Sequence, residues 1–237
     1  MTRTERFILE YAAEHGTIVS SDILQSAAAS GISSTTLNWH IQKLVKEGKI
    51  FRVGRGSYSL HGHQIFRENP DDEIVRRHTE LVLQYPSVKC CLYKGTILSP
   101  LLHHLSYNAL TYIEVDRELA DILFHRFKES GEVVYNKPSR EVMQDYVDMN
   151  RPGIIIKPLI TGAPLITNGG VPMPSLEKIL VDTICDEDFS YLQGGEWYYM
   201  IETAASQYSI NKSRLMRYAG RRGKKEMIED KLKDLGL

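Results

Sequence analysis

Cysteine is scarce in this chain. Its three cysteines, Cys90, Cys91 and Cys185, in 237 residues make no disulfide framework, so buried, reduced thiols are expected. Long apolar runs are missing too. No stretch approaches the roughly 20 residues needed to cross a bilayer. The opening residues, MTRTERFILEYAAEH, carry acidic groups through their apolar part and offer no small-residue cleavage site. That excludes a secretory signal and predicts a cytoplasmic location. Neither charge dominates, since the net charge is −1, so the protein as a whole shows no nucleic-acid bias. The familiar catalytic signatures are absent as well: no Gly-x-x-x-x-Gly-Lys-Ser/Thr loop, no Gly-x-Gly-x-x-Gly after a strand, no Gly-x-Ser-x-Gly elbow, no His-Glu-x-x-His. A Gly-Ser segment followed by paired aspartates, by which a nucleotidyltransferase would hold two metal ions, is also lacking.

What is present starts with SSTTLNWHIQKLVKEGKIFRVGRGSYSL, residues 33–60. Leu37, Ile41, Leu44 and Val45 recur at i, i+4, i+7 and i+8, which is one apolar helix face. Ser33 and Ser34 are N-cap residues, and Gly48 stops the helix at the C′ position. Ile50, Arg52 and Tyr58 then fall in two short strands around Gly54, Arg55 and Gly56. Upstream, Phe7, Ile8, Tyr11 and Ala12 make a helical stripe. Ser20 and Ser21 are placed to cap a second helix running to Ala29, and Gly31 sits in the turn before the third. Helix, helix, turn, helix and hairpin is the order of a winged helix-turn-helix.

That order predicts a double-stranded DNA reader. Short hydroxyl, amide and ammonium groups on the third helix can reach base edges and phosphates from the major groove. The candidates are Ser34, Thr35, Thr36, Asn38, Trp39, Gln42, Lys43 and Lys46, with Arg52 and Arg55 held on the wing beside the backbone. Residues 1–60 hold seven Lys or Arg against five Asp or Glu, and the basic residues concentrate from Lys43 onward. A winged helix that docks proteins instead is the competing reading, because fold alone does not fix function.

The segment HGHQIFRENPDDEI reads as a linker into a helix over 71–84, so the expected domains are residues 1–62 and 63–237. His61 and His63, like the adjacent pair His103 and His104, lack further ligands at metal spacing, and no metal or cofactor is expected. From Val88 onward the pattern alternates. Strands are read at 88–93, 109–115, 132–135, 153–159 and 164–166, with helices at 96–105, 117–130 and 140–149. Helices follow at 176–183, 197–207, 212–219 and 224–235. The expected class is α+β: an N-terminal winged helix-turn-helix, then an α/β core with a C-terminal helical layer.

Two charge features remain. Glu114 and Asp116 are expected to share a strand face and could hold a metal, yet no third ligand lies near in sequence. They are read as strand-end carboxylates, and the chain is read as non-enzymatic. The segment NKSRLMRYAGRRGKK, residues 211–225, contains Arg217, Arg221, Arg222, Lys224 and Lys225 without an acidic residue. It is open to two readings: a solvated helix face balanced by the acidic residues after it, or a surface for nucleic acid or an acidic partner.

The wing sequence GKIFRVGRGSYSL resembles the N-terminal module of the AbiEi-type antitoxins, the repressor-antitoxins of type IV abortive-infection toxin–antitoxin pairs. Tyr93-Lys94-Gly95-Thr96, PMPSLEKILVDTI and SINKSRLMRYAGRRGKK are similar to later motifs of that family. Residues 71–135, the Tyr93 motif apart, do not follow its pattern. The resemblance implies a winged helix that binds repeats in its own promoter and represses it. It also implies a C-terminal domain that counters a nucleotidyltransferase toxin without a stable complex. Two alternatives stand beside it: a winged-helix transcription factor with a small-molecule-sensing C-terminal domain, and a nucleic-acid-processing enzyme using Glu114 and Asp116.

Overall fold

The computed structural model describes all residues except 16, 55, 61, 63, 64, 104–106, 236 and 237. The chain divides into two compact units, Met1–Ile65 and Phe66–Leu237.

The first unit runs α1 (Arg3–His15), β1 (Thr17–Val19), α2 (Ser20–Ala29), α3 (Ser34–Lys46), β2 (Phe51–Gly54) and β3 (Ser57–Ser59). Ile8 and Ala12 of α1, Ile23 and Ala27 of α2, and Leu37, Ile41 and Leu44 of α3 bury their side chains together with Ile18, Ile50 and Tyr58. The ends of α3 follow from its sequence. Ser33 accepts the Thr36 N–H at the N-cap. At the other end the Gly48 N–H donates to the Val45 carbonyl and the Lys49 N–H to the Leu44 carbonyl. Such a Schellman closure needs a left-handed residue, and Gly48 supplies it with φ +68°.

Two local expectations are corrected. Val19, not a serine, occupies the N-cap position of α2. Ser20 instead gives both its backbone N–H and its hydroxyl to the Gly56 carbonyl, each at 2.8 Å, fastening α2 to the hairpin. The sheet also has three strands, ordered β1-β3-β2, where the sequence showed only two. A three-residue strand is too short for its period to register.

The second unit carries α4 (Asp72–Gln84), β4 (Cys90–Lys94), β5 (Leu110–Val115), α5 (Arg117–Glu129), β6 (Val134–Asn136), α6 (Arg140–Tyr146) and β7 (Gly153–Pro158). The hairpin strands β8 (Leu165–Asn168) and β9 (Val171–Pro174) follow. Then come α7 (Leu176–Cys185), α8 (Gly195–Gln207), α9 (Lys212–Arg221) and α10 (Lys225–Asp234). The main sheet is ordered β4-β5-β7-β6; β4 is antiparallel to β5, whereas β5, β7 and β6 run parallel. The class is α+β, as read from the sequence.

Where a helix was expected over 96–105, residues Gly95–Leu101 form a 3-10 helix containing Pro100. Proline lacks the N–H that an α-helical interior requires. Strand β9 and a second 3-10 helix, Glu187–Leu192, had no reading in the sequence. Glu114 of β5 pairs in register with Lys157 of β7, so both point to one face of the sheet. That face meets α7, in which every residue from Leu176 to Ile184 is buried, Glu177, Lys178 and Asp182 included.

Candidate nucleic-acid interface

Helix α3 has a buried face and a polar one, and the polar face is open. Ser34, Thr35, Thr36, Asn38, Trp39, Gln42 and Lys46 are exposed, and Trp39 is 61% so. A solvent-facing tryptophan on a helix of this unit has an edge and a ring to offer, which suits a contact with a groove. Among the described residues, the side chains of Ser34, Thr35, Asn38 and Lys46 make no hydrogen bond or ion pair. They are uncommitted donors and acceptors on one helix flank, with Asn38 the one able to form the bidentate amide pair with adenine.

Three of the expected contact residues are partly engaged inside the unit. Lys43 is only half-exposed, and its Nζ lies 2.7 Å from Glu5 Oε1. Lys43 thereby ties α3 to α1. Glu5 itself is buried and also accepts the Thr2 N–H at 2.8 Å. The Lys43 ammonium, with the Thr2 N–H, holds the Glu5 carboxyl down at about 2. His40 Nδ1 sits 3.4 Å from the same carboxylate. Thr36 Oγ1 shares a hydrogen bond of 2.8 Å with Ser33, and Gln42 Nε2 donates to the Tyr58 hydroxyl at 3.3 Å. The Gln42 contact sets α3 against β3. Arg52 is exposed on β2, opposite Tyr58. Arg55, like His61, His63 and His104, lies outside the described residues.

In the second unit the carboxylates separate. Strand β5 ends at Val115, so Asp116 is the exposed N-cap residue just before α5. Glu114 is buried against Lys178 Nζ at 2.7 Å, and Tyr93 donates its hydroxyl to it at 3.1 Å. The two acids therefore do not share a strand face, which corrects the expectation. Among the described residues no group of three or more His, Cys, Asp or Glu is placed to hold a metal.

The basic C-terminal segment also divides. Arg217, Arg221 and Lys225 are exposed, while Lys224 is half-buried. Arg222 turns inward. Its Nη1 lies 2.8 Å from Asp182 Oδ1 and its Nη2 2.5 Å from Asp186 Oδ1. Burial pushes the Asp186 carboxyl up, but Lys157 and Arg222 together outweigh that and leave it well below the usual range. The five cations thus form no single surface patch. A signal was there to read: Leu215, Tyr218, Ala219 and Arg222 are spaced i, i+3, i+4 and i+7, so Arg222 lies on the stripe that packs.

Residues 36–236 match the model of a family of unknown function, DUF6577. The chain belongs to that family. Residues 1–50 match the winged helix-turn-helix DNA-binding model. No curated protein matches the chain. The first unit is a winged helix DNA-binding domain of the kind transcriptional regulators carry, and double-stranded DNA is the partner it is built for. Among the described residues no helix is long and apolar enough to cross a membrane.

Proposed function

We propose that this chain is a transcriptional autorepressor and the antitoxin of a type IV toxin–antitoxin pair. In this reading it binds repeats in its own promoter and counters a nucleotidyltransferase toxin without a stable complex. The observation that carries the DNA half is the uncommitted polar flank of α3, where Ser34, Thr35, Asn38 and Lys46 stand beside the exposed Trp39. Backbone contacts from Arg52 would position that helix, and base edges would specify the site. The antitoxin half rests on the resemblance of the wing, the α7 motif and the α9 motif to the AbiEi-type family. We propose the second unit as non-enzymatic, a reading supported by the burial of Glu114 and the exposed, separate position of Asp116.

The test has two arms. Fluorescence anisotropy with the promoter duplex and a scrambled duplex at fixed salt should show preference for the promoter by about a thousandfold or more. Co-expression with a nucleotidyltransferase encoded beside it should restore growth. Equal affinity for both duplexes overturns the repressor; failure to restore growth overturns the antitoxin.

A further inference from the structure

The parallel strands β5, β7 and β6 end together at Val115, Pro158 and Asn136, and a cleft opens outside those carboxyl ends. It has a volume of about 290 Å³ and adjoins a second hollow of about 390 Å³. Arg117, Lys137 and Pro158 line both. The chain passes from β5 to the outer strand β6 before returning to insert β7 between them, so strand order reverses at this point. In open parallel sheets a reversal of this kind is where the loops part and a ligand crevice forms.

The floor is charged and carries one carboxylate more than it has cations, with Glu114, Asp182, Asp186 and Asp188 set against Lys157, Lys178 and Arg222. Lys157 Nζ lies 2.9 Å from Asp186 Oδ2 and 2.7 Å from Asp188 Oδ2, and Arg222 covers Asp182 and the other oxygen of Asp186. These cations are all engaged with carboxylates, so an incoming anion finds no free positive charge on the floor. The rim is different. Among the described residues, Arg117 and Lys137 make no side-chain hydrogen bond or ion pair. Two acids stand beside them: Glu187 accepts the Arg140 N–H, and Asp121 accepts from Asn136 Nδ2 at 2.7 Å.

Lys137 carries a second mark. Its φ is +41°, and it is the one non-glycine residue with positive φ among those described. It also precedes Pro138, a position that favours extended backbone. The Lys137 N–H donates to the Ile156 carbonyl at 2.8 Å, which holds the strained turn at the end of β6. Strain of this kind costs about 1–3 kcal/mol and persists where the surroundings fix it. A glycine or asparagine would relieve it, yet the position keeps a lysine at the cleft mouth.

We propose that this cleft binds a small phosphorylated molecule, with the Arg117 guanidinium and Lys137 ammonium taking the phosphate at the rim and the carboxylate-rich floor facing hydroxyl or amine donors of the remainder. Arginine supplies a planar fork and lysine a point charge, the pairing that phosphate recognition uses. A cleft of about 290 Å³ suits a small molecule. This site is independent of the DNA and antitoxin readings.

The experiment is isothermal titration of the full chain with inorganic pyrophosphate. Wild type should bind with saturation below about 1 mM. The double variant Arg117→Gln with Lys137→Gly should bind at least about tenfold more weakly, and glycine at 137 keeps the turn without strain. Arg126→Gln, which removes a charge from the same helix α5 away from this cleft, should stay within about twofold of wild type. Absence of saturable binding by wild type overturns the proposal. So does a double variant within about tenfold of wild type, or a loss in Arg126→Gln as large as in the double variant. Circular dichroism establishes that the variants are folded. If the double variant is not, Arg117→Gln alone, at the exposed first position of α5, is read by the same criterion.

Discussion

Lys178 on α7 and Glu114 on β5 meet in an ion pair of 2.7 Å, each side chain only 1% exposed. Asp182, one turn along α7, shares the same ammonium. Burial would push the Lys178 ammonium toward its neutral form, but the two carboxylates outweigh it and keep it charged. Removing one partner of such a pair strands a buried charge. Lys178→Met is therefore expected to destabilise the protein by about 3–5 kcal/mol in urea denaturation. Adding Glu114→Gln to Lys178→Met should recover part of that loss, since the stranded carboxylate is gone. A loss below about 1 kcal/mol for Lys178→Met would show that the pair contributes little.

Asn38 tests the reading helix. Its side chain is exposed and uncommitted, whereas Gln42 already donates to Tyr58. Asn38→Ala should cost about 1–3 kcal/mol on the specific duplex and leave random duplex unchanged. Lys46→Ala should weaken both and lower the slope of log affinity against log salt by about one in magnitude. Equal loss on both duplexes for Asn38→Ala would move that residue from base reading to backbone contact.

Glu5 gives a pH dependence with a definite sign. Its folded carboxyl is held down at about 2 against an ordinary value of 4.5. A depressed carboxylate contributes stability that is present above the ordinary value and is lost as pH falls toward the folded value. Thermal melts of wild type and Glu5→Gln should therefore differ by a constant margin above pH 4.5, and the gap should close toward pH 2. A gap that persists unchanged at pH 2 would mean that packing, and not the ionised pair with Lys43, is what Glu5 provides.

Much of this fold was legible because its signals are local. The apolar stripe Leu37, Ile41, Leu44, the cap at Ser33 and the stop at Gly48 lie within one helix, and each found its place. What sequence could not show depends on partners distant along the chain. Ser20 looks like a cap until Gly56, far along the chain, presents its carbonyl. Glu114 looks like a strand-end acid until Lys178 arrives on a helix elsewhere in the sequence. The cleft at Arg117 and Lys137 is of the same kind, because it exists only where three strands end side by side.

The basic segment provides the last test, because its cations have different surroundings. Arg222 is 12% exposed and bonded to Asp182 and Asp186, each of which would lose one of its two cationic partners without it. Arg222→Ala should cost about 3 kcal/mol of stability and impair every activity together. Arg217, Arg221 and Lys225 are exposed, so reversing all three to Glu should shift stability little, by about 0.5 kcal/mol per site or less. If these three form the surface through which the antitoxin acts, that triple variant should lose neutralisation and keep operator binding, with an unchanged circular dichroism melt. Loss of operator binding alone would make the segment a second DNA contact. Retention of both would leave it as a solvated helix face.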